Sequence, residues 1–379
     1  MRIAIEAWAA AEVPAGRGRH VRELLRALAG LDADHEYVLL CRRPWDGAAR
    51  STATGSTPAT AAGPPGLDGR FRWIGIDVAG RRWLAGAARA AARRRADVVL
   101  ATTSYALCAL VRSPSAAVVY DLVAFDPAMR APLGAQLERV TLPLAVRRAA
   151  RLICISETTR AGLAARFPAA AAKAVAIPLA ADPAFGAASP DDAGVPARHG
   201  ITRPYVLCTA TLEPRKNLPR LIEAFAGLPP ALRDAHELVL AGARGWHEDE
   251  TFAAVRRHAA LVRTLGYVQD EDLRALYRRA TVFAFPSLGE GFGLPVLEAM
   301  AAGTAVLTSN RSSLPEVGGT AARYADPLDT ESIRAGLEGL LEDPDARARL
   351  AAAGRERAAG FSWERTARET LAVVEAAAA

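Results

Sequence analysis

Short apolar runs alternate along the chain with segments whose apolar residues recur every three or four positions. In the first half the runs fall at residues 2–6, 37–41, 71–76, 97–101, 116–120, 151–155 and 175–178. Four to six consecutive apolar residues read as strands buried on both faces. Between them, residues 20–30 place Val21, Leu24, Leu25 and Leu28 on one helical face and stop at Gly30, and residues 81–95 read as a second helix. The second half repeats the scheme, with strands expected at 205–209, 237–241, 261–265, 282–285 and 305–308. Helices are expected there at 217–226, 270–279 and 295–302, the last stopped by Gly303. Such alternation predicts parallel sheets covered by helices on both faces. Two segments lack any period. Residues 45–70 are rich in Ala, Gly, Ser, Thr and Pro and read as a surface loop. Residues 184–203 (AFGAASPDDAGVPARHGITR) interrupt the alternation, and the interdomain linker is placed within them, at 188–203. The predicted plan is one domain over 1–187 and a second over 204–360, with a closing segment at 361–379.

At 379 residues the chain exceeds one ordinary core, in keeping with two domains. The net charge of +6 comes almost wholly from arginine, since Lys173 and Lys216 are the only lysines. The basic runs Arg93-Arg94-Arg95 and Arg147-Arg148 read as solvated helix faces, or as places that attract anionic lipid or an anionic acceptor. No aromatic residues interleave with them, which argues against a nucleic-acid surface. Cys41, Cys108, Cys154 and Cys208 have neither CxxC nor zinc spacing and read as buried free thiols of a reducing compartment. The first residues form a strand without a signal-peptide core, and no apolar run is long enough to span a bilayer. A cytoplasmic protein is expected, with weak peripheral contact at the inner membrane face allowed. Asp191-Asp192 and the Asp32/Asp34 pair read as solvated turns, so no metal site is expected. The oligomeric state is not legible.

Candidate chemistry concentrates in PSLGEGFGLPVLEAM, residues 286–300. It follows a strand at the carboxyl edge of a sheet, where α/β folds bind ligands. Gly289, Gly291 and Gly293 let backbone amides approach a ligand, and Pro295 suits the first turn of the next helix. That helix start is a seat for phosphate. Glu290 in the turn and Glu298 one turn into the helix are acceptor-only groups suited to the hydroxyls at two ends of a nucleotide sugar. Cations come from Glu213-Pro214-Arg215-Lys216-Asn217, at another strand end. Arg215 can grip a diphosphate bidentately while Lys216 supplies a compact charge.

These residues resemble retaining family-4 glycosyltransferases of the GT-B fold. The likeness lies in residues 286–319, with the Glu290/Glu298 pair in the family's Glu-x7-Glu arrangement, in TATLEPRKNLPRLIEAFA (209–226), and in LGYVQDEDLRALYRRATVFAFPS (265–287). PAGRGRHVRELLRAL near the start resembles the family's first loop and helix, and FSWERTARETLAVV its final helix. The resemblance implies two Rossmann-like doubly wound domains facing across a cleft, the first binding acceptor and the second donor, with the last helix crossing back to the first domain. It implies that Glu298 holds the nucleotide ribose, and that Glu290 with the backbone of Gly291, Phe292 and Gly293 holds the hexose. Leu294 would offer its amide near the diphosphate. Arg215 and Lys216 would stabilise the diphosphate as a leaving group, and Val268 would line the base. Gly16 and Gly18 would form a loop near phosphate and acceptor. Tyr120-Asp121 stands where many relatives carry His-Asp and becomes a candidate contact to sugar or acceptor, while His20 reads as a surface or capping histidine. The implied activity moves a hexose of mannosyl, rhamnosyl or glucosyl type from a nucleotide-diphosphate sugar to a hydroxyl acceptor, with retention and without metal. The implied setting is polysaccharide, glycolipid or natural-product glycoside assembly. Alternatives are a sugar-nucleotide epimerase or phosphorylase of the same fold, and a non-catalytic nucleotide-sugar binder. A nicotinamide-dependent oxidoreductase is disfavoured, because the run Gly16 to Val21 ends in neither Gly nor Ala.

Overall fold

The computed structural model describes residues 1–13, 16–42, 67–78, 82–125, 133–245 and 249–379. Pro14 and Ala15 of the first-loop motif, residues 45–66 of the expected surface loop and Arg81 of the expected second helix lie outside this set. The chain divides into two compact units: Met1–Leu179 with Ser362–Ala379, and Ala180–Phe361.

The first unit is built on a seven-stranded sheet of β1 (Arg2–Glu6), β2 (Glu36–Cys41), β3 (Phe71–Gly75), β4 (Val98–Ala101), β5 (Ser115–Val119), β6 (Arg151–Cys154) and β7 (Ala174–Ala176). Their order is β3-β2-β1-β4-β5-β6-β7, and every neighbouring pair is parallel. The central strands β4 and β5 are buried at every position, as continuous apolar runs require. Helix Arg17–Ala29 turns Val21, Leu24, Leu25 and Leu28 into the core. The last helix, Trp363–Ala378, buries Thr366, Ala367, Thr370, Leu371, Val374 and Ala377 at helical spacing and packs on β4, β5, β6 and helix Arg17–Ala29. Thr366 Oγ1 donates to the Pro178 carbonyl at 2.7 Å, pinning its first turn.

In the second unit β8 (Tyr205–Thr209), β9 (Glu237–Ala241), β10 (Val262–Gly266), β11 (Val282–Phe285), β12 (Val306–Ser309) and β13 (Arg323–Ala325) form a parallel sheet of order β10-β9-β8-β11-β12-β13. The edge strand β13 was not expected from the sequence. Its three residues, Arg-Tyr-Ala, are too few and too polar to stand out as an apolar run. In both sheets the strand order reverses once, between β1 and β4 and between β8 and β11. Ligand crevices of open α/β sheets form at the carboxyl ends of such strands.

The stretch expected to be a linker is folded, and it belongs to the second unit. Residues Pro183–Phe185 and Pro190–Gly194 form 3-10 turns and Val195–Arg198 a short helix, all packed on helix Asp270–Arg279. Asp192, expected to be a solvated turn residue, is buried and takes both Nε and Nη2 of Arg278 at 2.6 Å. Asp182 pairs with Arg274 at 2.6 Å and Asp272 with His199 at 2.7 Å, while Phe185 lies edge-on to Tyr277. Charged pairs and one aromatic anchor hold this segment, so no apolar period betrays it. The boundary between units falls at 179/180 rather than at 187/188.

Candidate functional site

In the second unit, three strand-to-helix connections meet at the carboxyl ends of β8, β11 and β12. After β8 the chain makes a 3-10 turn at Pro214–Lys216 and passes through Asn217 in the left-handed conformation (φ 61°). Asparagine tolerates this backbone, and here its side chain also bridges. Asn217 Nδ2 donates to the carbonyls of Pro286 at 3.0 Å and Pro327 at 2.7 Å. After β11 comes Ser287, whose hydroxyl oxygen lies 2.9 Å from the Arg215 carbonyl, and the Leu288 N–H donates to that carbonyl at 2.8 Å. The Leu288 bond ties the β11 exit to the β8 exit. After β12, the hydroxyls of Ser312 and Ser313 donate to the Glu290 carbonyl at 2.5 and 2.9 Å. The glycine turn is therefore clamped from both sides.

Gly293 ends that turn at φ 116°, and a Cβ there would stand 2.8 Å from Leu314 Cδ2, so the position needs glycine. Helix Leu294–Ala302 starts at once. Its Val296 and Leu297 amides turn back to the Gly293 carbonyl at 3.0 and 3.2 Å, and Pro295 has no N–H to leave unsatisfied. The Leu294 amide precedes these and has no acceptor within the helix. The helix macrodipole adds positive potential at the same edge.

Four charged side chains converge beside this helix start. Glu290 Oε2 accepts from Arg215 Nη1, and Glu290 Oε1 accepts from Lys216 Nζ at 2.7 Å and Ser287 Oγ at 2.7 Å. Arg215 also pairs with Glu213 at 2.7 Å and donates to the Gly289 carbonyl at 3.0 Å. The Lys216 ammonium lies 4.9 Å from the centre of the Phe285 ring. The Glu290 side chain is 8% exposed. Burial alone would raise its pKa, but Arg215 and Lys216 outweigh burial and bring it down to about 2. Burial, and then the Arg215 charge, lower the Lys216 pKa against the pull of Glu290 and Glu213. Glu298 is buried one turn into helix Leu294–Ala302, where Tyr277 donates to its Oε2 at 3.1 Å. Tyr277 in turn shares a hydrogen bond with Thr209 at the end of β8.

The first unit carries its own polar cluster at the carboxyl ends of β1, β4 and β5. Glu6 is fully buried, and its carboxylate accepts from the amides of Thr103 and Ser104 at 2.9 Å each and from Trp8 Nε1 at 2.8 Å. Tyr120 follows β5, and its hydroxyl lies 2.7 Å from His20 Nδ1. His20 is buried, stacks on Trp363 at a 6.0 Å centroid distance, and has its pKa lowered to about 4 by burial. Arg17 lies over the Tyr120 ring and pairs with Glu138 at 2.9 Å.

A family model for glycosyl transferases group 1 matches residues 196–357, and one for glycosyltransferase family 4 matches residues 14–185. The chain belongs to the family-4, group 1 glycosyltransferases. It is 44% identical over 169 residues to O-antigen chain mannosyltransferase B of Escherichia coli, a match covering 44% of each chain. The chain thus spans less than half the length of that curated relative. It is similar over 99% of its length, with 19% identity and a TM-score of 0.77, to sucrose-phosphate synthase of Thermosynechococcus elongatus, covering 98% of that chain. It is likewise similar to Anabaena HepE, solved with UDP and glucose, at 17% identity and a TM-score of 0.75, covering 99% of this chain and 100% of that one. These likenesses establish the GT-B fold, two Rossmann-like parallel-sheet units.

The chain brings together, in its second unit, most of the residues expected to act on a donor. Arg215, Lys216, Glu290, Gly291, Phe292, Gly293, Leu294 and Glu298 share the β8/β11/β12 edge. Phe292 is buried edge-on to Phe361, leaving only its backbone at the turn. Val268 is buried two residues past β10, beside exposed Tyr267. Several expectations need correction. Gly18 is not in a loop: it is a buried residue of helix Arg17–Ala29, where a Cβ would stand 1.8 Å from the Val13 carbonyl oxygen, so close backbone packing explains it. Gly16 is the N-cap of that helix, at φ 53°. His20 is neither a surface nor a capping residue; it is buried inside the helix, and Tyr120 is its polar partner. The Tyr120 phenol is 6% exposed and directed at His20, which leaves its hydroxyl poorly placed to meet a sugar. Asp121 accepts from the Val123 amide at 3.1 Å and organises the turn after β5. Ser287, Ser313, Asn217 and Tyr277 were not among the expected site residues. The first three could have been found from their place shortly after strands of the same edge; Tyr277 sits mid-helix and gives no such signal.

Proposed function

We propose that this glycosyltransferase transfers a hexose, of mannosyl, rhamnosyl or glucosyl type, from a nucleotide-diphosphate sugar to a hydroxyl acceptor in glycan or glycoside assembly. The observation that carries this reading is the convergence of Arg215, Lys216, Glu290 and the start of helix Leu294–Ala302 on one sheet edge. Two cations and the positive end of a helix suit the charge that develops on a departing diphosphate. Glu290 and Glu298 suit hexose and ribose hydroxyls as acceptors. The mannosyltransferase relative favours mannosyl transfer among the hexoses. We assign retention to front-face departure and attack, with Arg215 and Lys216 holding the departing diphosphate and Glu290 binding the hexose rather than attacking it. The cationic cluster can serve the leaving group without a metal.

The test is a thermal-shift screen of UDP-, GDP-, dTDP- and ADP-hexoses, followed by assay of nucleoside diphosphate release with and without glycan acceptors. One donor should raise the melting temperature and be turned over. If none of them stabilises the protein, the reading fails. Turnover that depends on acceptor separates transfer from epimerisation and from binding alone.

Among the described residues no helix is long and apolar enough to cross a membrane. We infer instead weak peripheral contact with an anionic bilayer through helix Leu133–Arg148. Its Leu137, Val140 and Leu144 form an exposed apolar stripe, with 64% of Val140 accessible, and exposed Arg147 and Arg148 follow on the next turn. Apolar insertion flanked by guanidinium groups is the chemistry of interfacial helices on anionic lipid. Co-sedimentation with phosphatidylglycerol vesicles, but not phosphatidylcholine vesicles, is expected and should be lost in Val140→Glu. Equal sedimentation with both would refute this.

A further inference from the structure

The diphosphate cations are already occupied. Arg215 and Lys216 both bind Glu290, and Arg215 also binds Glu213, so two positive and two negative side chains balance within the cluster. The pairs are nearly dry, with the Lys216 and Glu290 side chains 9% and 8% exposed. An anion that pairs with these cations competes for them with the carboxylates they already hold. Of the two, Glu290 is the one that touches both cations, and it is held by Ser287 in addition.

Displacing Glu290 leaves a buried carboxylate in need of donors, which is unfavourable unless new ones arrive. An intact nucleotide sugar brings them: its diphosphate takes over Arg215 and Lys216, while its hexose hydroxyls donate to the freed carboxylate. A nucleoside diphosphate brings only the first half of the exchange. We propose that Glu290 is an internal counter-ion that selects the intact sugar nucleotide over the nucleoside diphosphate left after transfer. Once the hexose has gone, Glu290 reclaims its cations and helps to expel the product. The inference rests on the donor-site reading above, and adds a specificity role to a residue assigned there only to sugar binding.

The test is calorimetric titration of wild type, Glu290→Gln, Ser287→Ala and Lys216→Ala with UDP, GDP, UDP-glucose and GDP-mannose. Glu290→Gln removes the competing charge at nearly constant volume. It should tighten binding of the preferred nucleoside diphosphate by about tenfold, the worth of one charge-assisted contact. It should also weaken the matching sugar nucleotide, so that the preference for intact donor disappears. Ser287→Ala loosens Glu290 without removing it and should shift both affinities the same way by about two- to threefold. It carries the test if the Glu290→Gln protein does not fold. Nucleoside diphosphate affinity that is unchanged or lower in Glu290→Gln and Ser287→Ala, while binding still requires Lys216, overturns this inference alone. Absence of binding by any of the four ligands to wild type overturns the donor-site reading together with it.

Discussion

Asn217 ties the two strand exits that carry the candidate site, and its removal has a size that can be worked out. Its amide donates to the Pro286 and Pro327 carbonyls, and its own oxygen accepts from Arg220 at 2.9 Å. The residue is 3% exposed, so the lost bonds are not replaced by water. Asn217→Gly keeps the left-handed backbone at φ 61° but removes the side chain. Two buried hydrogen bonds at about 1 kcal/mol each, plus up to about 1 kcal/mol of added backbone freedom in the unfolded chain, give a loss of about 2–3 kcal/mol. Asn217→Ala loses the same bonds and adds about 1 kcal/mol of left-handed strain. For a unit of this size each kcal/mol moves the midpoint by about 2–4 °C, so Asn217→Gly should melt about 4–12 °C and Asn217→Ala about 6–12 °C below wild type. Far-UV circular dichroism melts of all three proteins measure this. If Asn217→Gly melts within about 1 °C of wild type while Asn217→Ala falls, only the backbone conformation matters and the bridging argument is wrong.

Three further outcomes follow from the geometry. Glu298→Ala should abolish the thermal shift produced by the preferred donor, and Tyr277→Phe, which leaves Glu298 in place but removes its hydroxyl partner, should reduce that shift only in part; equal shifts in wild type and both variants would exclude a ribose role for Glu298. His20 has a folded pKa of about 4 against about 6.5 unfolded, so the unfolded chain binds the extra proton between those values. Stability of the first unit should therefore be fully present above about pH 6.5 and fall towards pH 4, by about 3 kcal/mol at most, and His20→Asn should flatten that slope in denaturant titrations across this range. Gly18→Ala places a methyl 1.8 Å from a backbone oxygen and should push helix Arg17–Ala29 off its neighbour, costing about 1–3 kcal/mol or more; an unchanged melting temperature would contradict the packing role given to this glycine.

Much of the fold could be read from the apolar runs, because strands buried on both faces leave continuous patterns such as Val98–Ala101 and Val282–Phe285. Elements stabilised by other means stayed hidden. The segment after Leu179 is held by Asp182–Arg274 and Asp192–Arg278, and an ion pair between distant residues leaves no local period. The second-unit site was legible because its residues lie next to strand ends: Arg215, Lys216 and Glu290 occupy positions that topology must bring together. What could not be foreseen was their mutual pairing, since the sequence does not say which acid faces which base. The inward turn of Tyr120 was likewise hidden. It depends on His20 and Trp363, which stand 100 and 243 positions away along the chain.

Residues 180–361 form one continuous body, whereas the other body is assembled from two separate segments, Met1–Leu179 and Ser362–Ala379. During synthesis the continuous body can complete its sheet while the discontinuous one still lacks the helix that covers β4, β5 and β6. Until that helix emerges, His20 has no Trp363 above it and a face of the sheet stays wet. Nascent chains stalled near residue 361 should therefore resist proteolysis over 180–361 and be cut within the first 179 residues, making the final helix the latch that commits the molecule to its finished state.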